Sequence, residues 1–305
     1  MGEAHAWRVR VALAIVYLVW GTSYLATKIM VTDEPPLVAA GLRFLLAGVL
    51  LLIFAWWQSG PPVLTRIEWR HMVVMGLLAV LFSNACHVIA MQHVQSNTAA
   101  LLNATPALWI AWLGTFGHRR SHLTGTARLG LFVGFVGVML VLAPRGGFDL
   151  AGLGWQLLIL LGCFSWSLGT IYYRNSGSAN PPVMFTALQM LAGALGLLAA
   201  AAIAGESFDV HWTPRGLLAF AWLALMSACV GYSAYVWLAT HTTPVVVGSY
   251  GYVNPAVAAL VGWLVLGEKL GWMQIAGMLV ILLGVALATG YLTPMPRRFA
   301  EAGKS

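Results

Sequence analysis

Long apolar runs separated by short polar breaks follow one another along the whole chain. Ten can be marked, at residues 11–31, 36–57, 71–93, 97–117, 127–143, 151–173, 181–204, 214–239, 244–266 and 272–293. Most approach the roughly 20 residues with which a helix crosses the hydrocarbon of a bilayer. The breaks collect Pro, charged and turn residues, as in Asp33-Glu34-Pro35-Pro36, Gly60-Pro61-Pro62 and Ala179-Asn180-Pro181-Pro182. The pattern predicts an all-α integral membrane protein of ten transmembrane helices, with no break long enough to free a soluble domain.

The same pattern repeats on a larger scale. Asn84 to Trp109 carries a polar layout that returns half a chain later. Aligning Pro106 with Pro255 sets Asn84 opposite Ser233 and Gln92 opposite His241. Pro35-Pro36-Leu-Val with Leu45-Leu46-Ala47-Gly48 is echoed by Pro181-Pro182-Val-Met with Met190-Leu191-Ala192-Gly193, Trp20 maps onto Trp166, and Gly137-Val138 maps onto Gly284-Val285. Two copies of five runs are therefore expected, at residues 8–145 and 150–293, followed by a tail at 294–305. Five is odd, so the second copy crosses the membrane in the opposite sense to the first. Inverted repeats of this kind place a substrate site near mid-membrane between the halves.

Composition agrees with a bilayer as solvent. The 305 residues are 60% hydrophobic and 8% charged, with a mean hydropathy of +0.83, against roughly 25% charged in soluble domains. The net charge of +7 forms no basic stripe, so the expected partner is lipid and not nucleic acid. Arg8, Arg10, Arg66, Arg70, Arg119, Arg120, Arg128, Arg174, Arg297, Arg298 and Lys304 fall on one side of the runs, and Lys28, Arg145, Arg215 and Lys269 on the other. That bias puts both termini in the cytoplasm. The run at 11–31 is too long for a signal peptide and reads as the first span. Cys86, Cys163 and Cys229 lie within apolar runs and give no metal or disulfide spacing. No cofactor or metal is expected, and the chain is expected as a monomer or homodimer.

Ionisable groups inside hydrocarbon usually have a reason to be there, and only Arg43 and His87 lie well within runs. Arg43 reads either as an anion or carboxylate contact or as a structural cation bonded to backbone. His87 shares a helix face with Asn84 and Met91 and either reads a polar substrate group or is satisfied within the bundle. Aromatic stripes run along the first span at Tyr17, Trp20 and Tyr24, on the sixth at Trp166, on the eighth at Tyr232 and Tyr235, and on the ninth at Tyr250 beside Asn254. With Asn103 they form a candidate cavity wall for flat or amphipathic substrates. Pro106 and Pro255 each remove a backbone hydrogen bond and are candidate hinges. Gly130, Gly134 and Gly137, with Gly277 and Gly284, offer close-packing faces. Glu268, at a membrane edge, is expected to cap the last helix or pair with Lys269. Phosphate loops, zinc helices and nucleophile elbows are absent from the sequence, and no buried carboxylate pair offers catalysis, so no catalytic residue is assigned.

The five-plus-five order, Trp20-Gly21-Thr22-Ser23-Tyr24, the run from Pro35-Pro36-Leu37 through Gly41-Leu42-Arg43-Phe44 to Ala47-Gly48, and Gly267-Glu268-Lys269-Leu270 resemble the drug/metabolite transporter superfamily. Within it, the match is to EamA-type exporters, which include YddG-like and YedA-like proteins. The resemblance covers nearly the whole chain. It implies a secondary transporter, not an enzyme, that exports small metabolites from the cell across the inner membrane by alternating access. The implied substrates are amino acids, aromatic or otherwise neutral, and related compounds such as purines. The rival readings are a broad drug or toxic-compound exporter and, in a different class, a channel or membrane scaffold. The position paired with Glu268 falls near Ser121, so a mechanism built on symmetric carboxylates is not expected.

Overall fold

The computed structural model describes residues 3–116, 124–143, 150–242, 246 and 249–288. The expectations resting on Ser121 and its neighbours and on the tail at 294–305 lie outside these residues. Every described element is helical. Seven helices among the described residues are long and apolar enough to cross a membrane: His5–Asp33, Pro36–Ser59, Arg66–Met91, Gly125–Leu142, Gly152–Ser176, Pro182–Ile203 and Pro214–Leu238. Two shorter apolar helices follow, Val253–Leu266 and Trp272–Ala288. The expected run at 97–117 is broken into Ser96–Leu102 and Pro106–Leu113.

Local chemistry explains these boundaries. Pro36–Ser59 and Pro182–Ile203 both open on a Pro, where the missing N–H is no loss. In the first of these helices the next free amides are met from across the molecule. Glu206 accepts from the amides of Leu37 and Val38, both at 3.0 Å. Just ahead of the second of these helices, Glu68 accepts from the Ala179 amide at 2.9 Å, the Ser178 hydroxyl at 2.6 Å and the Asn180 side-chain amide at 2.9 Å. Each of the two expected copies thus supplies a carboxylate to the start of the other's second helix. Negative charge there is favoured by the helix dipole as well as by the hydrogen bonds.

Thr65 caps the third helix by accepting from the Glu68 amide at 3.3 Å. The helix therefore begins at Arg66, ahead of the expected edge at 71. In consequence His71 lies within the helix and is buried, with Nδ1 2.8 Å from the Tyr172 hydroxyl. Both Arg66–Met91 and the matching helix from Pro214 widen midway into π-helix, at Gly76–Phe82 and Trp222–Gly231. Such turns shift the register of the side chains beyond them and leave carbonyls for side chains to use.

The glycine faces meet each other. Gly125–Leu142 packs along Trp272–Ala288 more extensively than any other pair of helices, followed by Pro36–Ser59 on Pro182–Ile203. A Cβ on Gly137 would stand 2.5 Å from the Ile281 amide nitrogen, and one on Gly284 would overlap the Gly134 backbone. The two prolines differ in their effect. Pro106 starts a new helix after the turn at 103–105, whereas Pro255 lies inside the continuous helix Tyr250–Leu266.

Candidate functional site

Between the packed pairs lies a cavity of about 230 Å³, smaller than the roughly 300–1,000 Å³ of drug-sized sites. From the first copy, Trp20, Tyr24, Arg43, Asn84, His87, Asn103 and Pro106 line it; from the second, Trp166, Tyr232, Tyr250 and Asn254 do. Two residues expected on the wall stand elsewhere. Met91 shares a helix with Asn84 and His87, but at the helix end it is wholly buried in the core. Tyr235 packs behind the wall, its ring 5.2 Å from Trp20 and 5.9 Å from Tyr250. Pro255, expected as a hinge and not as a wall residue, is buried next to Asn254.

Trp20 organises the aromatic side. Tyr250 meets it edge-on at 5.2 Å, Tyr232 lies at 6.4 Å, and the indole N–H donates to the Ser227 carbonyl at 3.2 Å. An aromatic held by both ring contacts and a hydrogen bond is a rigid surface, with little rotamer freedom left to lose on binding.

The polar side is built on the first copy's helix breaks. Arg43 donates through Nη2 to Asn84 Oδ1 at 3.0 Å. Asn84 Nδ2 in turn donates to the Ala79 carbonyl at 3.2 Å, within the π-helical stretch. His87 Nε2 lies 2.8 Å from Asn103 Nδ2. An amide nitrogen only donates, so in this arrangement the imidazole nitrogen accepts. Asn103 caps its own helix end through Ala99, which places a polar side chain where the run is interrupted. The guanidinium of Arg43 also lies 4.3 Å from the centroid of the Phe44 ring, a cation–π contact.

Sequence reasoning missed Ser23, Thr27, Phe44, Ser83, Gln189, Met190 and Ser227 on the wall. A signal for two of them existed. Gln189 stands in the same register from Pro181 as Arg43 does from Pro35, and Met190 correspondingly matches Phe44. Charge alone drew attention to one of the pair.

Two charged residues also have roles other than those expected. Lys28, counted only for its side of the membrane, sits on the first helix and donates to the carbonyls of Met91 at 2.6 Å and Gln92 at 3.0 Å. Glu268 caps the helix Ser96–Leu102, and not the last helix. Among the described residues no group of His, Cys, Asp or Glu is arranged to hold a metal, and no carboxylate lines the cavity.

The model of the EamA-like transporter family matches this chain twice, at residues 9–143 and 153–290. The chain belongs to the EamA-like transporter family. The uncharacterised inner membrane transporter YedA of Escherichia coli strain K12 is 34% identical over 291 residues, spanning 93% of this chain and 92% of that one. An uncharacterised transporter of Archaeoglobus fulgidus is 25% identical over 280 residues, 91% of this chain and 96% of the other. The uncharacterised transporter YvbV of Bacillus subtilis is 26% identical over 294 residues, 92% and 91% of the two chains. A crystal structure with 20% sequence identity superposes with a TM-score of 0.65 over 92% of this chain and 96% of its own, which shows a shared fold. This EamA-like chain is thus a multi-pass membrane transporter and not an enzyme.

Proposed function

We propose that this protein is a carrier that exports small metabolites across the inner membrane by alternating access, without ATP. Its cargo is amino acids with aromatic or other neutral side chains, and related compounds such as purines. In this reading the broken pair Ser96–Leu102 and Pro106–Leu113 counts as one span, giving ten. The spans form two inverted copies at 8–145 and 150–293, with both termini cytoplasmic.

The observation that carries the proposal is a single cavity whose wall is drawn from both copies at matching positions: Trp20 with Trp166, Arg43 with Gln189, and Phe44 with Met190. Paired halves around one site are what a rocking carrier needs and what a scaffold does not. The wall is aromatic on one side and polar on the other, which suits a small molecule with one flat apolar end and one polar end. Export of toxic cations is the weaker reading, because no carboxylate stands on the described wall to serve as counter-ion.

Counterflow in proteoliposomes tests the proposal. Vesicles loaded with unlabelled tryptophan should transiently accumulate labelled tryptophan from outside. A channel gives equilibration without overshoot, and a scaffold gives no protein-dependent flux.

A further inference from the structure

The two Lys28 bonds close one end of the bundle. The carbonyls they reach, Met91 at 2.6 Å and Gln92 at 3.0 Å, stand at the end of the helix Ser83–Met91. A helix has no amides of its own to offer its last carbonyls, and its dipole favours a cation there. Gln92 adds a tie in return, its Nε2 donating to the Val31 carbonyl at 3.4 Å. The first helix packs at this end on Ser83–Met91 and on the half-helix Ser96–Leu102, whose start Glu268 caps.

The repeat places a counterpart of this arrangement at the opposite end. In the register that carries Trp20 onto Trp166, Lys28 falls on Arg174. In the register of Pro106 on Pro255, Met91 and Gln92 fall on Thr240 and His241, and the turn at 103–105 falls on 252–254. Lys28 meets the finish of Arg66–Met91, whereas Tyr172, two residues before Arg174, meets His71 near its start. Here the ties are not made. Arg174 is exposed in the last turn of Leu150–Ser176 and has no hydrogen bond among the described residues. His241, in Gln92's place, has Nδ1 2.9 Å from the Trp237 carbonyl of its own helix. Among the described residues Leu150–Ser176 has no packing on Tyr232–His241 comparable with that of the first helix on Ser83–Met91, and residues 252–254 are helical.

Matching residues thus stand in two geometries within one molecule. In an inverted-repeat carrier one geometry belongs to the end that is shut and the other to the end that is open. We propose that Lys28 and Arg174 are alternate latches: Lys28 shuts its end in this structure, and in the opposite state it lets go while Arg174 takes the Thr240 and His241 carbonyls and shuts the other end. The inference rests on the carrier reading above and adds what sets the side that is open. With cytoplasmic termini, Lys28 shuts the outer end, and the structure is the state open to the cytoplasm. Both residues are cations with several N–H donors and no acceptor, so either can bridge two carbonyls.

The test reads the Lys28 end directly. Spin labels on cysteines at Thr32 and Gln95, both exposed there, report its opening as a distance distribution, in a cysteine-free background of the full-length protein in lipid nanodiscs. The short distance should dominate before any latch is altered. Lys28→Met keeps the stem and removes the donors, so the ratio of long to short distances should rise about tenfold, as for the loss of one hydrogen bond from a charged group. Lys28→Arg should restore part of the short distance. Arg174→Met added to Lys28→Met should reverse the shift, because it weakens the opposite state. Purely structural roles would lower the melting temperature without moving the populations in opposite directions. An unchanged distribution in Lys28→Met overturns the inference, and a shift that Arg174→Met does not reverse overturns the assignment of Arg174. If Lys28→Met fails to fold, Arg174→Met alone decides: tryptophan counterflow about tenfold slower supports the latch, and an unchanged rate overturns it. Absence of overshoot in the unmodified protein overturns the carrier reading instead, whatever the distances show.

Discussion

The Glu268 carboxylate, near the end of the second copy, accepts from both the amide and the hydroxyl of Ser96 in the first, each at 2.7 Å. A third bond comes from the Asn97 amide at 3.0 Å. Glu268 lies in the short break between Tyr250–Leu266 and Trp272–Ala288, and Ser96 opens the broken helix. At this end of the bundle the helices Tyr250–Leu266 and Ser96–Leu102 are in contact, whereas Pro106–Leu113 packs chiefly on Leu150–Ser176. A carboxylate-to-amide tie therefore joins the two helices at this end.

Replacing Glu268 with Gln should lower the melting temperature in detergent. Hydrogen bonds to a charged group are worth about 1.5–3 kcal/mol, and the amide keeps only part of that. Ser96→Ala removes one of the donors to that charge and should cost about 1.5–3 kcal/mol. A melting curve for Glu268→Gln identical to that of the unmodified protein would show that this carboxylate is not a structural tie.

The glycine contact makes a sharper stability test. Gly137→Val forces atoms against the Ile281 backbone and should destabilise by about 1–3 kcal/mol, the usual range for overpacking. Gly154→Ala meets nothing within 4 Å and lies within the helix Leu150–Ser176, so it should stabilise by about 0.5–1 kcal/mol. Thermal melts of the two variants side by side should move in opposite directions.

Exchange should not depend on a proton gradient, because no carboxylate faces the described cavity. Tryptophan counterflow is expected to persist at the same rate after a protonophore is added. Flux that collapses with the gradient, yet responds to it equally in His87→Ala, would rule out both the exchange mechanism and the histidine as proton carrier.

Aromatic residues on the wall and behind it should separate kinetically. Trp20→Phe loses the bond to the Ser227 carbonyl and should raise the transport KM about fivefold, the equivalent of roughly 1 kcal/mol. Tyr235→Phe, behind the wall, should leave KM within about twofold, a difference below 0.5 kcal/mol. Equal effects from the two substitutions would place Tyr235 on the transport route after all.

Cysteine labelling in a cysteine-free background checks orientation. An impermeant maleimide added to intact cells should modify a cysteine at Asp209 and spare one at Gly60. The reverse pattern would invert the assignment of the termini.

The apolar runs were legible because a bilayer imposes length and composition at once, and the glycine faces because close approach admits few other residues. Capping partners were not, since the partners are far apart in sequence: nothing local to Glu268 says that its amides are at Ser96, or that Glu206 serves Leu37. The break before Pro106 was visible as a proline, yet Pro255 looks the same in sequence and leaves its helix intact. On the wall, residues conspicuous by charge or ring size were found, and Gln189 was passed over because a lone glutamine in an apolar run attracts attention only when laid beside Arg43. Met91 failed for a geometric reason. Helical spacing gives the face a side chain occupies but not the depth at which a cavity ends.

The exchange of carboxylates between Glu206 and Leu37, and between Glu68 and Ala179, bears on how the protein is made. During synthesis the first copy emerges with the start of its second helix still waiting for a glutamate that has not been translated. Neither copy satisfies that helix start by itself, and two fragments from a gene cut between them should yield more folded protein when coexpressed than either does alone.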